Sequence, residues 1–215
     1  MFRLLPRIFI FILTVTATAC SANLDWRQAV ITTQNLQIKN LMPSKPQTHQ
    51  TRLTHQNIEL SSNELISRVQ INKARGLFVL GAAQIPTKLP IERGSHQYLK
   101  QIFASFVQAQ QQLISTQLKQ NMITHEQTLF VSQPVNKKAN QTIELIEEKW
   151  LIDQASQVNL TASAALLSAS TLSHLSRFML IKKEHQYWII QQVYRGSLPL
   201  SKDDLSFWFL SLSLS

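Results

Sequence analysis

Alternation of hydrophobic and polar residues predicts strands over much of the chain. In residues 35–41, Leu36 and Ile38 alternate with polar neighbours, which is the period-two pattern of a half-buried strand. Residues 76–85 form an almost continuous apolar run, which predicts a central strand buried on both faces. Comparable patterns predict the other strands, at residues 24–30, 50–53, 57–60, 66–71, 127–133, 140–153, 176–182 and 186–194.

A helical period of hydrophobicity runs through residues 95–119. Apolar side chains there recur every three or four positions, and the opposite face is rich in Gln. Gly94 and Ser95 stand where such a helix needs its start and its N-cap. This pattern predicts one long helix whose apolar stripe covers a sheet.

The end of the chain predicts a shorter helix at about 201–211. Ser201 is a favourable N-cap, and Asp203 and Asp204 follow in the first turn, where carboxylates interact favourably with the helix dipole. Residues 160–173 are rich in Ala, Ser and Leu and fit either a helix or a strand. The number of predicted strands therefore depends on that segment.

Runs of strands separated by single helices are typical of α+β domains. We therefore expect an α+β fold with a mostly antiparallel sheet, covered by the long helix at about 95–119 and the short C-terminal helix at about 201–211. The length suits one domain, which we place at residues 24–215.

The first 19 residues have the pattern of a signal peptide. Arg3 and Arg7 form a positive start, and the uncharged, mostly apolar residues 8–19 end in small side chains. Such a run is too short to cross a bilayer as a stable helix, which needs about 20 residues. The pattern predicts an exported protein.

Cys20 is the single cysteine of the chain and follows this segment directly. Ala17-Thr18-Ala19-Cys20 resembles the lipobox of bacterial lipoproteins, although Ala17 stands where Leu is usual, and it also fits the A-x-A site of ordinary signal peptidase. Both alternatives start the mature chain at Cys20. We favour acylation of its thiol with palmitate, because dual acylation holds a domain on a membrane and makes residues 20–23 a short tether.

Ser21 follows the cysteine where some lipoproteins have Asp. In lipoproteins of Gram-negative bacteria, that resemblance implies sorting to the outer membrane. The expected location is the outer membrane, facing the periplasm, and the alternative is a soluble periplasmic protein.

Positive charge is spread along the chain rather than concentrated. Without residues 1–19, 19 Lys and Arg stand against 12 Asp and Glu, a net charge of +7. Adjacent basic residues occur only at Lys137-Lys138 and Lys182-Lys183. This pattern favours a solvated cationic surface over a nucleic-acid site, and it leaves an anionic membrane or cell-wall polymer as a candidate partner.

Several features together resemble a known fold. An early strand runs into Pro43 and Pro46, an apolar strand precedes the long helix, a hairpin lies near the C-terminus, and the chain closes with DLSFWFLSLSL. These features resemble the PsbP/Mog1-like α+β fold, including its DcrB-type members in bacterial envelopes, over most of residues 24–212. The resemblance implies an envelope domain and brings no catalytic residue with it.

No sequence motif in the chain carries known catalytic chemistry. G-x-S-x-G, H-E-x-x-H, the P-loop and G-x-G-x-x-G are all absent, and the histidine spacings fit no common metal site. His125 and Glu126 are adjacent, so a strand would point them to opposite faces. Glu144, Glu147 and Glu148 fit the outer face of a strand. We expect no catalytic residue, no metal and no cofactor.

Three consecutive aromatic residues, Phe207, Trp208 and Phe209, lie in the predicted C-terminal helix. A helix cannot bury all three on one narrow face, so we take them as a candidate contact for a partner or for the membrane surface. The alternative is that they close the edge of the core.

These patterns support three hypotheses for function. The leading one is a non-catalytic envelope lipoprotein that acts as a protein-interaction or accessory module at the outer membrane, with another envelope protein as its partner. The second is a periplasmic protein that binds a ligand or peptidoglycan. The third is an unrecognised hydrolase.

Overall fold

A computed structural model describes residues 24–33, 35–55, 58–86, 96–125, 143–153 and 173–215. The predicted signal peptide and Cys20 lie outside these residues, as do the predicted strand at 127–133 and nearly all of the ambiguous segment 160–173.

The described residues form ten strands and two helices in chain order. They are β1 (Arg27–Thr32), β2 (Gln37–Met42), β3 (Gln47–His55), β4 (Ile58–Ile71), β5 (Ala74–Ile85), α1 (His96–Leu118), β6 (Met122–His125), β7 (Ile143–Asp153), β8 (His174–Lys183), β9 (Gln186–Gly196), α2 (Lys202–Leu210) and β10 (Ser213–Leu214).

The strands pair in two antiparallel sheets. The larger sheet has seven strands in the order β3-β4-β5-β9-β8-β7-β6, and the smaller has three in the order β1-β2-β10. The predicted hairpin near the C-terminus is confirmed: β8 and β9 pair from Lys183 and Gln186 outward, around a turn of Glu184 and His185.

The predicted α+β fold, with one sheet covered by a long helix at about 95–119 and a short helix at about 201–211, is wrong. The chain is mostly β, since more than half of its described residues lie in strands and these form two sheets. Alternation shows that a strand is half buried but not which strand it pairs with. The two-residue β10 and the four-residue β6 are also too short to leave a periodic signal.

The larger sheet is buried on both faces by different elements. Neighbouring residues of β7 illustrate this, because Trp150 and Ile152 belong to one core and Leu151 to the other. On one face α1 packs its apolar stripe. The buried residues of that stripe are Leu99, Ile102, Phe103, Phe106 and Val107.

The other face is covered by the smaller sheet and α2. Side chains of β1 and β2, such as Ile31 and Ile38, pack in the same core as Trp208 and Phe209 of α2. Helix α2 begins with a capping box, in which Ser201 and Asp204 each bond the backbone N–H of the other. The cap fixes where the helix starts and therefore which of its side chains face the sheet.

A buried polar network holds the other end of α2. Arg177 of β8 donates from Nε and Nη2 to the two carboxylate oxygens of Glu148, at 3.0 and 3.3 Å. Its Nη1 donates to the carbonyl oxygen of Phe209 at 3.1 Å, near the helix end, where carbonyls lack intrahelical donors. Gln192 donates to the same carbonyl at 3.3 Å, and Trp150 donates to Glu148 at 2.7 Å. The network therefore links β7, β8 and β9 to α2.

Breaking this network should destabilise the protein. The side chains of Arg177 and Glu148 are only 9% and 11% exposed. We expect Arg177→Met to lower the free energy of unfolding by about 3–5 kcal/mol, because it leaves the Glu148 charge buried without its partner. Urea unfolding measures the change.

Arg52→Met is the matched control, because Arg52 pairs with Glu59 at 3.6 Å on the surface. An exposed pair contributes about 1 kcal/mol or less. Equal losses in the two variants would show that the network does not stabilise the fold.

Candidate functional site

Three arginines from three adjacent strands share one face of the larger sheet. Leu77 of β5 pairs with Arg68 of β4 on one side and with Arg195 of β9 on the other. Arg75 lies two residues before Leu77 and therefore points to the same face. This is the face that α1 covers, since Ile85 of β5 packs in the core formed with the helix.

Helix α1 packs most closely over β6, β7 and β8 and leaves the corner formed by β4, β5 and β9 more open. Near its start, His96 stacks edge-on against Tyr187 of β9, with ring centroids 6.3 Å apart. In its second half, Gln111 donates to the carbonyl oxygen of Met122 in β6 at 2.6 Å. The second half of the helix therefore lies on the β6 side of the sheet, and Gln117 near its end borders the corner of β4, β5 and β9 through its contact with Arg195.

A groove of about 500 Å³ lies at this corner. Its walls are the three arginines together with Gln70 and Leu77, and no Asp or Glu lines it. We call it the arginine groove. Cationic walls without a carboxylate give the groove a positive potential.

Glycine allows the strand ends beneath the groove to approach closely. Gly76 of β5 pairs with Gly196 of β9. A Cβ on Gly196 would lie 2.2 Å from the carbonyl oxygen of Arg75, and one on Gly76 would lie 2.2 Å from Leu198. A larger residue at Gly196 would push β5 and β9 apart, and one at Gly76 would displace the side chain of Leu198.

The arginines of the groove contact neutral partners. Arg68 donates to Oε1 of Gln47 at 2.9 Å, and Arg195 donates to Oε1 of Gln117 at 3.3 Å. Among the described residues, no carboxylate forms an ion pair with Arg68, Arg75 or Arg195. Their charges therefore remain uncompensated within the described part of the chain.

A buried histidine borders the groove. His174 of β8 pairs with Arg195 and is 2% exposed, and its Nε2 lies 2.6 Å from Oγ of Ser176. Burial, followed by the charge of Arg195, lowers the pKa of His174 from 6.5 to about 4, and Asp153 opposes the shift. His174 is therefore neutral at pH 7 and adds no charge to the groove.

Ser176, His174 and Asp153 share this end of the sheet, but their geometry differs from that of a catalytic triad. Nδ1 of His174 has no hydrogen-bond partner in the described structure, whereas a triad directs this nitrogen to the carboxylate. Asp153 instead accepts from the backbone N–H and the hydroxyl of Ser173, both at 3.3 Å. Ser176 is fully buried, so a substrate cannot reach its hydroxyl.

The structure buries two of the three aromatic residues of the predicted contact and exposes the third. Trp208 and Phe209 are fully buried, so their expected role as partner contacts is wrong, and they are core residues. Phe207 is 49% exposed and stacks edge-on against Trp26 at 5.6 Å between ring centroids. Only Phe207 of the three remains available for a contact. Cys20, the predicted lipid attachment site, lies outside the described residues.

The acidic cluster of β7 is occupied by ion pairs. Glu147 pairs with Lys149 at 3.2 Å, and Glu144 lies 4.0 Å from Lys182. Within the described ranges no three His, Cys, Asp or Glu side chains group as metal ligands. In the same ranges neither helix is long and apolar enough to cross a membrane.

Sequence reasoning missed the arginine groove. Arg68 and Arg75 lie on either side of the turn between β4 and β5, and their alternation with apolar residues offered a weak signal that they share a face. Arg195 is far away in sequence and joins them only through the pairing of β5 with β9. A search for adjacent basic residues cannot detect such a cluster.

Comparisons with known proteins assign no family to this fold. The chain matches no family model, no curated protein and no solved structure. The resemblance to PsbP/Mog1-like domains therefore gains neither support nor contradiction from them.

His174 should make the stability of the protein sensitive to acid. Between pH 6.5 and about 4 the unfolded chain binds a proton at His174 and the folded chain does not, so stability falls as the pH is lowered through this window. We expect His174→Gln to remove up to about 3 kcal/mol of this dependence. Urea unfolding at several pH values measures the difference between the two curves.

His49→Gln provides the control, because His49 is exposed on β3. Its pH curve should follow that of the unmodified protein. If the curves of stability against pH for His174→Gln and the unmodified protein are parallel, His174 is not the source of the acid sensitivity.

Proposed function

We propose that the protein is a non-catalytic envelope lipoprotein that is anchored through Cys20 and acts as an interaction or accessory module at the periplasmic side of the outer membrane. The sequence around Cys20 supports the anchor, and the arginine groove carries the proposed binding role. It is open to solvent and has uncompensated charge, which suits binding. The neighbouring Ser176 and His174 are buried, which argues against chemistry at this corner.

The position of the first described residues supports an orientation close to the membrane. Leu24 is buried in the core and lies four residues after Cys20. Four residues span at most about 14 Å in any conformation. A lipid on Cys20 would therefore hold the surface around Trp26 and the exposed Phe207 near the bilayer.

A second candidate function is periplasmic binding of a ligand or of peptidoglycan without an anchor. The same groove favours it, since three uncompensated arginines are suited to an anionic group. Sedimentation with purified peptidoglycan tests the polymer version, and a protein that stays in the supernatant contradicts it.

A hydrolase is the third alternative, and the burial of Ser176 speaks against the one serine–histidine pair in the described residues.

The anchor proposal predicts labelling at one residue. Cells expressing the full chain should incorporate radioactive palmitate into the protein, and Cys20→Ala should abolish the label and release the protein from the membrane fraction. Ser21→Ala is the control and should keep both the label and the membrane location. Label that persists in Cys20→Ala, or that never appears in the unmodified protein, contradicts the anchor.

A further inference from the structure

We propose that the arginine groove, bounded by Arg68, Arg75 and Arg195, is a binding site for a phosphate group. The inference rests on the ligand-binding role proposed above and is independent of the lipid on Cys20. It specifies the chemistry that the groove recognises.

Sheet geometry places the three arginines close together on one face. Arg68 and Arg195 both flank Leu77, so their Cα atoms are two strand spacings apart, or about 10 Å. Arg75 lies two residues along β5 from Leu77, or about 7 Å. The three positions form a triangle on one face, and long side chains from its corners can reach a single group above the centre.

Charge in the corner favours an anion at that centre. Like charges this close together repel one another, and no carboxylate in the described residues pairs with these three. Lys73 in the turn between β4 and β5 adds exposed positive charge at the same end of these strands. The neutral His174 leaves this balance unchanged.

The number of arginines selects phosphate over carboxylate. A carboxylate has two oxygens and one charge, and one guanidinium satisfies it through a bidentate pair. A phosphate monoester has three terminal oxygens and a charge between −1 and −2, so it can accept from several guanidinium groups at once. Free phosphate, a phosphorylated sugar and the monoester headgroup of phosphatidic acid share this chemistry.

Isothermal titration calorimetry with inorganic phosphate tests the site directly. The protein would be purified from cells expressing the full chain and studied in a phosphate-free buffer. We expect saturable binding that weakens about tenfold or more in each of Arg68→Gln, Arg75→Gln and Arg195→Gln, because each removes a charged hydrogen-bond donor. Acetate at the same concentration should compete poorly.

Arg52→Gln is the matched control. It removes the same charge from an exposed arginine of the larger sheet, and Arg52 pairs with Ser61 of β4, far from the groove. Thermal unfolding of each variant checks the fold. If Arg195→Gln alters the fold, the variants of the exposed Arg68 and Arg75 still test phosphate binding by the groove.

Vesicles distinguish the sources of the phosphate. Sedimentation with vesicles containing phosphatidic acid is compared with phosphatidylglycerol vesicles, which carry only a diester phosphate, using the Cys20→Ala protein so that no acyl chain contributes. Binding of inorganic phosphate that only the groove variants weaken supports a soluble phosphate ligand. Binding to the phosphatidic acid vesicles alone, with the same variant pattern, supports a lipid headgroup.

Three results overturn the inference: no binding in either assay, an equal loss in Arg52→Gln, or equal competition by acetate. Failure of palmitate labelling would contradict the anchor and leave the phosphate-binding measurements valid. Absence of phosphate binding would contradict the groove site and leave the lipoprotein proposal, which rests on Cys20, unaffected.

Discussion

The larger sheet has apolar side chains on both faces, and the arrangement of the other elements follows from covering both. Residues of β8 are almost all buried, with successive side chains entering opposite cores. A single layer of helix cannot cover two faces, so α1 takes one face, and the smaller sheet with α2 takes the other. Burial of apolar surface on this scale is the main favourable contribution to folding.

Polar groups then determine how α2 is placed on its face. Apolar packing of Trp208 and Phe209 brings the helix to the sheet without fixing its rotation strongly. The capping box at Ser201 and the bonds from Arg177 and Gln192 to the carbonyl of Phe209 define both ends. Buried polar groups that lose a partner carry the full desolvation penalty, so this network disfavours other placements of α2.

The groove lies where the covering layer stops. Because the second half of α1 lies on the β6 side of the sheet, the corner of β4, β5 and β9 stays open and carries charged side chains. His174 sits at the boundary between the two regions. Its burial lowers its pKa, so it is neutral at pH 7, and its ring contacts Ser176 rather than the groove. Burial and charge thus change over one strand spacing, which places a cationic surface beside the buried core.

The sequence by itself determined most of the local structure. Period-two alternation located β2, a continuous apolar run located β5, the 3.6-residue period located α1, and the N-cap at Ser201 located α2, because these signals depend only on neighbouring residues of one element. It did not determine the second sheet, in which the very short β10 pairs with β2 from the far end of the chain. It likewise assigned Trp208 and Phe209 to a possible contact, because it could not show that the smaller sheet and β7 enclose the same helix. Only the tertiary structure decided these points and assembled Arg195 with Arg68 and Arg75, since strand pairing joins residues that no local period connects.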